Sequence, residues 1–506
     1  MSKMNKMSKL SNENSFANEY ERQRQENIRR NEEILQQLRI PEIVKSFRPA
    51  PKPKPKPRPK PEKKQPIRHS LRLRGVKPEA PEEKRKAEEE IVKEEKRARL
   101  EGILALHAIR ANKTSVDDTN RFIGILSDLS MAKDSRKDDV ADKAPTNEIN
   151  FDSVPGGKEG LSAVRWRCRS LNLKKTEDWS SVKVTPDRIY CVSVHPSKDK
   201  ILVSAGDKQG SLGFWDINEI NMNEYGHEEC RTFMFNAHTK TITYSQYSPT
   251  DSNLLFTSSY DGSIRYLDLN QAKSIEAFVD NEYTYTHFDM DSTGQIIYFS
   301  TNEGTVGIKD IRQPINVFTG YDLHDRKVGC VSLNPIRPEL MVTASLDRTM
   351  CLWDIRKLGS DCKVQEFTFT KSVTSAYWSP TGDKVVSTSY DDLIRVFYYN
   401  EERKLKERIQ VPHNNQVGRW VTMFRATWNP NPNLHPHFVI GNMKRSADVI
   451  SAVTGELVWN MRDEKLSSIP AVNAFHPKLN VIVGGNASGR MVAWQEKPKV
   501  TPTVLI

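Results

Sequence analysis

The chain has 506 residues, with 76 Lys and Arg against 65 Asp and Glu, for a formal net charge of +11. Residues 1–150 carry 35 Lys and Arg against 25 Asp and Glu, a net of +10, so almost all of the excess positive charge lies in that stretch and the remainder is close to neutral. No run of about 20 apolar residues is present and MSKMNKMSKL lacks the apolar core of a secretory leader, so neither a membrane span nor secretion is expected.

The first 150 residues read as a basic, largely disordered and partly helical tail. Around Asn14 to Leu38 the composition is rich in Glu, Arg and Gln, with Ile28, Leu35 and Leu38 on one side, which predicts a polar helix with a narrow apolar stripe. PAPKPKPKPRPKPEKKQP follows. Proline at alternate positions forbids helix and sheet there and leaves an extended polyproline II rod that presents Lys and Arg. Next comes Arg68 to Gly75, whose Arg72 and Arg74 alternate with leucines, a pattern suited to phosphate contact or nuclear import. The charged stretch from Pro81 to about Asn112 predicts a long helix, and the following 40 residues read as mostly loop.

From residue 151 to 506 the pattern changes to a repeat. Turns recur at SVHP, QYSP, DMDSTG, SLNP, YWSP, TWNP and AFHP, each followed by an apolar strand and a second turn, as in LLFTSSYDGSIRYLDL. Units end at Trp215-Asp216, Leu267-Asp268, Lys309-Asp310, Trp353-Asp354 and Phe397-Tyr398, degenerate around Ile450-Ser451 and return at Trp494-Gln495. A Trp-Asp ending every 40 to 45 residues, roughly, is the grammar of a WD-repeat β-propeller. Seven units predict an all-β, seven-bladed ring, with Ala163 to Leu171 read as a strand that closes the last blade. His238 and His324 open the second and fourth units. Their expected role is hydrogen bonding within a blade.

Six cysteines are scattered without C-x-x-C spacing, so neither a zinc site nor a disulfide framework is indicated and reduced thiols are expected. No G-x-S-x-G, P-loop or H-E-x-x-H occurs, so no catalytic residue, metal or cofactor is assigned. A basic tail on a near-neutral domain favours polyanionic partners, nucleic acid ahead of anionic membrane.

Leu323 to Leu358, LHDRKVGCVSLNPIRPELMVTASLDRTMCLWDIRKL, resembles the damage-recognising small subunit of the UV-damaged-DNA-binding complex and its fungal WD-repeat relatives. The likeness continues through SVTSAYWSPTGDKVVSTSYDDLIRVF and HNNQVGRWVTMFRATWNP, and YERQRQENIRRNEEIL and SLRLRG are similar to the fungal branch. It implies a nuclear protein that binds single- and double-stranded DNA, with preference for UV-damaged or distorted duplex. In the damage-binding relative a hairpin on the narrow face pushes a wedge into the minor groove while basic groups hold the flanking phosphates. Matching the motif at Thr422 to Trp428 puts Arg419 and Trp420 at the wedge, where the relative has an aromatic, an amide and a histidine. The alternative for Trp420 is packing over the blade top. Lys327, with Arg326 beside it, falls at a DNA-contacting lysine, and Lys444-Arg445 falls at a basic DNA-contacting loop. The resemblance also implies a docking side for the adaptor of cullin-4 ubiquitin ligases, marked by Asp310, Arg312, Asp354 and Arg356. A scaffold in a ligase or chromatin complex is therefore the competing expectation.

Overall fold

In a computed structural model of the chain, residues 26, 29, 30, 99–111, 114–134, 157–175, 180–222, 228–280, 282–359 and 362–496 are described. The chain divides into two units, 1–87 and 88–506. Of the first, Glu26, Arg29 and Arg30 are described; they are helical and exposed, within the helix expected over Asn14 to Leu38. The polyproline rod, Arg72 and Arg74 lie outside the described residues.

The second unit contains seven antiparallel sheets, the seven blades expected. Their innermost strands are Ile189–Val194, Ile242–Tyr247, Tyr285–Met290, Val328–Leu333, Val373–Trp378, Thr427–Trp428 and Val472–Phe475. The second strand of each blade is covered on both faces by its neighbours; Leu340–Ser345 is buried at every position and reads as a continuous apolar and small-residue run. Outer strands show the opposite pattern. Leu405–Pro412 alternates between covered and exposed positions, the period of two that a half-solvated strand requires.

The fourth blade shows how hydrogen bonding locks a unit. Trp353 Nε1–H donates to Thr343 Oγ1 at 2.7 Å, Thr343 is 2.7 Å from His324 Nε2, and His324 Nδ1 is 2.7 Å from Asp347 Oδ2. With the imidazole proton on Nδ1, every polar atom of this buried chain has a partner, which avoids the penalty for an orphaned donor. His238 repeats the arrangement with Asp261 and Thr257, at 3.0 and 2.9 Å. Both histidines therefore have the within-blade role expected of them. Burial alone would raise the Asp347 carboxyl, but hydrogen bonds from His324 and Thr349 outweigh it and bring it down to about 2. A carboxyl depressed by folding stabilises above its unfolded value, near 3.9, and that contribution is lost as pH falls through the folded value. The thermal midpoint should thus fall between about pH 4 and pH 2, and Asp347→Asn should flatten that part of a pH series measured by circular dichroism. A profile identical to the parent's would exclude the linkage.

The segment before the ring departs from the sequence expectations in three places. Residues 99–111, placed in a long helix by their charge, are non-helical: β1 (Leu104–Ala105) adds to the outer edge of the second blade, Leu104 opposite Ser274. The fully buried Arg265 donates from Nη1 to the Leu100 carbonyl at 3.0 Å and from Nη2 to the Gly102 carbonyl at 2.7 Å. Gly102 has φ of +70°, a left-handed conformation that a helix does not admit. The stretch read as loop contains helix α1 (Val116–Asp134). Ser115 Oγ accepts from the Asp118 N–H at 3.0 Å while Asp118 Oδ2 accepts from the Ser115 N–H at 3.2 Å, a reciprocal cap. Packing on the ring thus begins well before the expected boundary at 150. Finally, Ala163 to Leu171 is not a strand. It lies almost wholly in helix α2 (Lys158–Ser170), whose Val164 and Cys168, four residues apart, face the core between the sixth and seventh blades. Closure is made instead by β2 (Leu171–Leu173) and β3 (Val182–Lys183), both paired with the strand Arg490–Glu496 of the seventh blade. The N-terminal side of the chain supplies the outer strand, as expected, but from the adjoining residues.

Among the described residues no helix is long and apolar enough to cross a membrane. Among the same residues no group of three or more His, Cys, Asp or Glu could hold a metal ion.

Candidate nucleic-acid interface

Antiparallel strands connected in sequence order put two kinds of loop on each face of the ring. The loops entering each innermost strand and the turns between second and third strands share one face; the remaining turns share the other. Arg326 and Lys327 lie in the loop entering the fourth blade, Arg419 and Trp420 in the loop entering the sixth, and Lys444 and Arg445 in the turn after the sixth blade's strand His437–Asn442. All six therefore belong to one face.

The loop entering the sixth blade, 413–426, spans from the fifth blade to the first. On the fifth-blade side, Asn415 N–H donates to Asp392 Oδ1 at 3.0 Å, and its side-chain amide donates to the Ser389 carbonyl at 2.9 Å. On the other side, Thr422 Oγ1 donates to the Ile189 carbonyl at 2.5 Å, and Arg188 Nη1 donates to the Arg419 carbonyl at 2.8 Å. Val417, Thr422 and Phe424 are buried. Between these anchors Gly418, at φ of +66°, turns the chain outward, and Trp420 is left 82 % exposed. Packing of Trp420 over the blade is thereby excluded.

Three carboxylates of this face are turned away from solvent, while Glu282, Glu303, Asp325 and Glu464 are exposed on it among the cations. Asp261 and Asp347 face inward to their histidines, and Asp391 is tied to Arg395, 2.6 Å from Nη2. Arg326, Arg419, Lys444 and Arg445 are exposed. Lys327 is half-buried; its Nζ donates to the Tyr260 hydroxyl at 2.6 Å and sits 5.1 Å from that ring's centroid. Of the two adjacent cations, Arg326 is the one presented to solvent. Lys208, Lys240, Arg348 and Lys371 are exposed in loops of the same face and were not singled out in the sequence. Their signal is positional, in turns next to first or second strands, and becomes readable only when the register of every blade is known.

Asp310 and Asp354 close third strands and Arg312 and Arg356 follow them, so all four lie on the opposite face. The two pairs are alike. Arg312 donates from Nε to Asp310 Oδ1 at 2.8 Å and from Nη2 to Oδ2 at 2.5 Å, and Arg356 makes the same two bonds to Asp354 at the same distances. These forks hold both carboxyls down to about 2, while the arginine side chains stay 63 % and 64 % exposed. Exposed pairs of this kind add little to stability, which leaves them available for recognition.

The WD domain, G-beta repeat, matches residues 228–268, 312–354 and 362–397. Each match begins near the outer strand of one blade and runs through the third strand of the next, so the sequence repeat is offset from the blade, and the final outer strand must come from the other end of the ring. A DNA damage-binding protein CMR1 from Phaeosphaeria nodorum is 33 % identical, covering 94 % of this chain and 98 % of its own length. The Neurospora crassa protein of that name is 32 % identical over the same shares of both chains. The one from Chaetomium globosum is 35 % identical over 66 % of this chain and 70 % of its own.

Proposed function

Because the chain belongs to the family of fungal DNA damage-binding WD-repeat proteins named CMR1, we propose that it is a nuclear, non-catalytic protein that binds DNA through the face carrying Trp420. Trp420 stacks on a base exposed by weakened pairing, Arg419 occupies the minor groove or the adjacent phosphate, and Arg326, Lys327, Lys444 and Arg445 hold flanking phosphates. The observation that carries this reading is the 82 % exposure of a tryptophan on a loop anchored at both sides and set among exposed cations. An indole with no apolar cover is poorly used for stability but well used for stacking, which is sequence-tolerant and strongest where a lesion has already unstacked the duplex. Single strands fit the same surface for the same reason.

The test is a titration of the full chain with undamaged and UV-irradiated duplexes at several salt concentrations. Tighter binding to irradiated duplex is expected; equal affinity would remove the damage preference. Removing Arg326, Lys444 and Arg445 together by alanine substitution should flatten the plot of log K against log salt by about 0.9 for each phosphate left without its cation. An unchanged slope would assign the phosphates to other cations.

A second reading is favoured by the duplicated Asp-Arg forks. On the face opposite to Trp420, Arg312 and Arg356 dock an adaptor of the cullin-4 ligase type, with DNA contact on the first face incidental to a scaffold role in a ligase or chromatin complex. Co-purification of such an adaptor should be lost in the Arg312→Ala, Arg356→Ala double variant. Full retention would discard this reading.

A further inference from the structure

The axis of the ring encloses a cavity of about 950 Å³ to which all seven blades contribute. It runs from Arg425 and Tyr244 to the turns on the Arg312 face, where Pro249, Pro335, Pro380 and Pro430 lie in its wall. These are the prolines of the QYSP, SLNP, YWSP and TWNP turns, so the repeated turn motif builds a rigid rim. Proline has no N–H, so the rim presents no donor from these residues.

Arg425 precedes the innermost strand of the sixth blade, lies in the cavity wall with Tyr244 and Tyr377, and is within electrostatic range of Tyr244, Tyr260, Cys330 and Tyr377, on three other blades. Among the described residues its guanidinium has no ion pair and no hydrogen bond, although it carries five N–H donors. None of its neighbours supplies a negative charge at neutral pH: burial pushes the Cys330 thiol up to about 12 and holds the Tyr244 and Tyr377 hydroxyls above the ordinary phenol range. Two carboxyls lie in the cavity wall, and Asp291 Oδ1 accepts from the Gln295 N–H at 3.0 Å and the Ile296 N–H at 2.9 Å. Asp289 is likewise engaged. Its Oδ2 accepts from Leu333 N–H at 2.8 Å and its Oδ1 from Met290 N–H at 2.9 Å. A half-buried cation without a counterion is costly in a folded core, and a partner anion would relieve that cost.

We propose that this cavity binds an acidic peptide segment of a partner protein, with one carboxylate forked by Arg425 and its apolar neighbours seated against the proline rim. A guanidinium and a carboxylate match as two parallel N–H···O bonds. A phosphate group, with up to two charges and three acceptor oxygens, calls for more than one cation, and the cavity offers one. Its volume is at the upper end of the range of roughly 300–1,000 Å³ for pockets that enclose most of a ligand, enough for a few side chains of an extended peptide.

The experiment is a selection of random heptapeptides displayed on phage against the full chain, with counter-selection on Arg425→Met, followed by calorimetric titration of synthetic peptides. Enriched sequences should share one Asp or Glu between apolar residues, and Arg425→Met should weaken their binding at least tenfold at an unchanged melting temperature. Replacing the shared Glu by Gln in the peptide should cause a similar loss on the unaltered chain, a comparison that holds even if the variant folds poorly. Enriched sequences without an acid, no enrichment over the Arg425→Met chain, equal affinity of the Gln peptide, or displacement of the peptide by millimolar inorganic phosphate would each overturn the proposal.

Discussion

Trp420→Ala should weaken DNA binding by about 1 to 3 kcal/mol, roughly 5- to 150-fold, while leaving the melting temperature of the free protein unchanged. The two halves of this expectation have one cause. At 82 % exposure the indole contributes almost nothing to the core, so its removal opens no cavity, and the buried Val417, Thr422 and Phe424 keep the loop in place. What is lost is a flat surface for stacking. The loss should be larger on UV-irradiated duplex than on intact duplex. In intact DNA the wedge must itself cover the cost of unstacking, a few kcal/mol per step, and gains less from each base it meets. The ratio of the two affinities should therefore shrink in the alanine variant, and Trp420→Phe should recover much of it. Fluorescence anisotropy with labelled duplexes at one fixed salt concentration measures the six affinities, of three proteins on two duplexes. If the alanine variant binds both duplexes as the parent does, Trp420 is not part of the DNA surface.

The ring was legible in the sequence because its signal is redundant. Seven turns and six recognisable unit endings specify the same period, so the loss of the ending at Ile450-Ser451 costs nothing; the strand there, Ser446–Ser451, is still held between His437–Asn442 and Leu457–Met461. The candidate wedge was legible only through resemblance. Exposure of Trp420 depends on anchors such as Thr422 to Ile189, 233 residues apart, which no local pattern encodes. Single-copy elements fared worst. In Ala163 to Leu171 the alternation of Val164, Trp166 and Cys168 imitates a strand, but the buried pair is Val164 and Cys168, at helical spacing, and Trp166 is 68 % exposed. Residues 99–111 were misread for a different reason: the extended conformation is imposed by Arg265, a second-blade residue 165 positions from Leu100 that requires the Leu100 and Gly102 carbonyls. Helix α1, by contrast, carried its own signal. Ser115 and Asp118 have capping-box spacing, and Phe122, Ile125, Leu126 and Leu129 follow at intervals of three, four and seven, the stripe of an amphipathic helix.

That stripe leads to the largest stability effect expected. Phe122→Ala should destabilise the protein by about 3 to 5 kcal/mol. Phe122 is fully buried, with ring centroids 4.8 Å from Phe214, 4.8 Å from Phe233 and 5.4 Å from Phe235, so helix α1 seats its phenyl ring among three aromatics of the first blade. Truncation leaves a cavity that three rigid rings, fixed by strand pairing, fill poorly, and the cost should sit near the top of the range for large-to-small changes. Leu106, Ile109, Ile125, Leu126 and Leu129 share the same cluster. A chain beginning at residue 151 would lack all six of these side chains and leave the apolar face of the first and second blades open to water. Such a truncation should aggregate or melt early, and a weakened DNA affinity measured on it would not report on the tail. Urea denaturation followed by tryptophan fluorescence tests the substitution: the midpoint should fall with little change in slope, and protease sensitivity should rise first between residues 99 and 134. The contrast with Trp420 is the decisive control. One aromatic substitution should change stability, with DNA affinity at low temperature largely preserved, and the other should do the reverse. If Phe122→Ala melts like the parent, helix α1 is not integral to the ring.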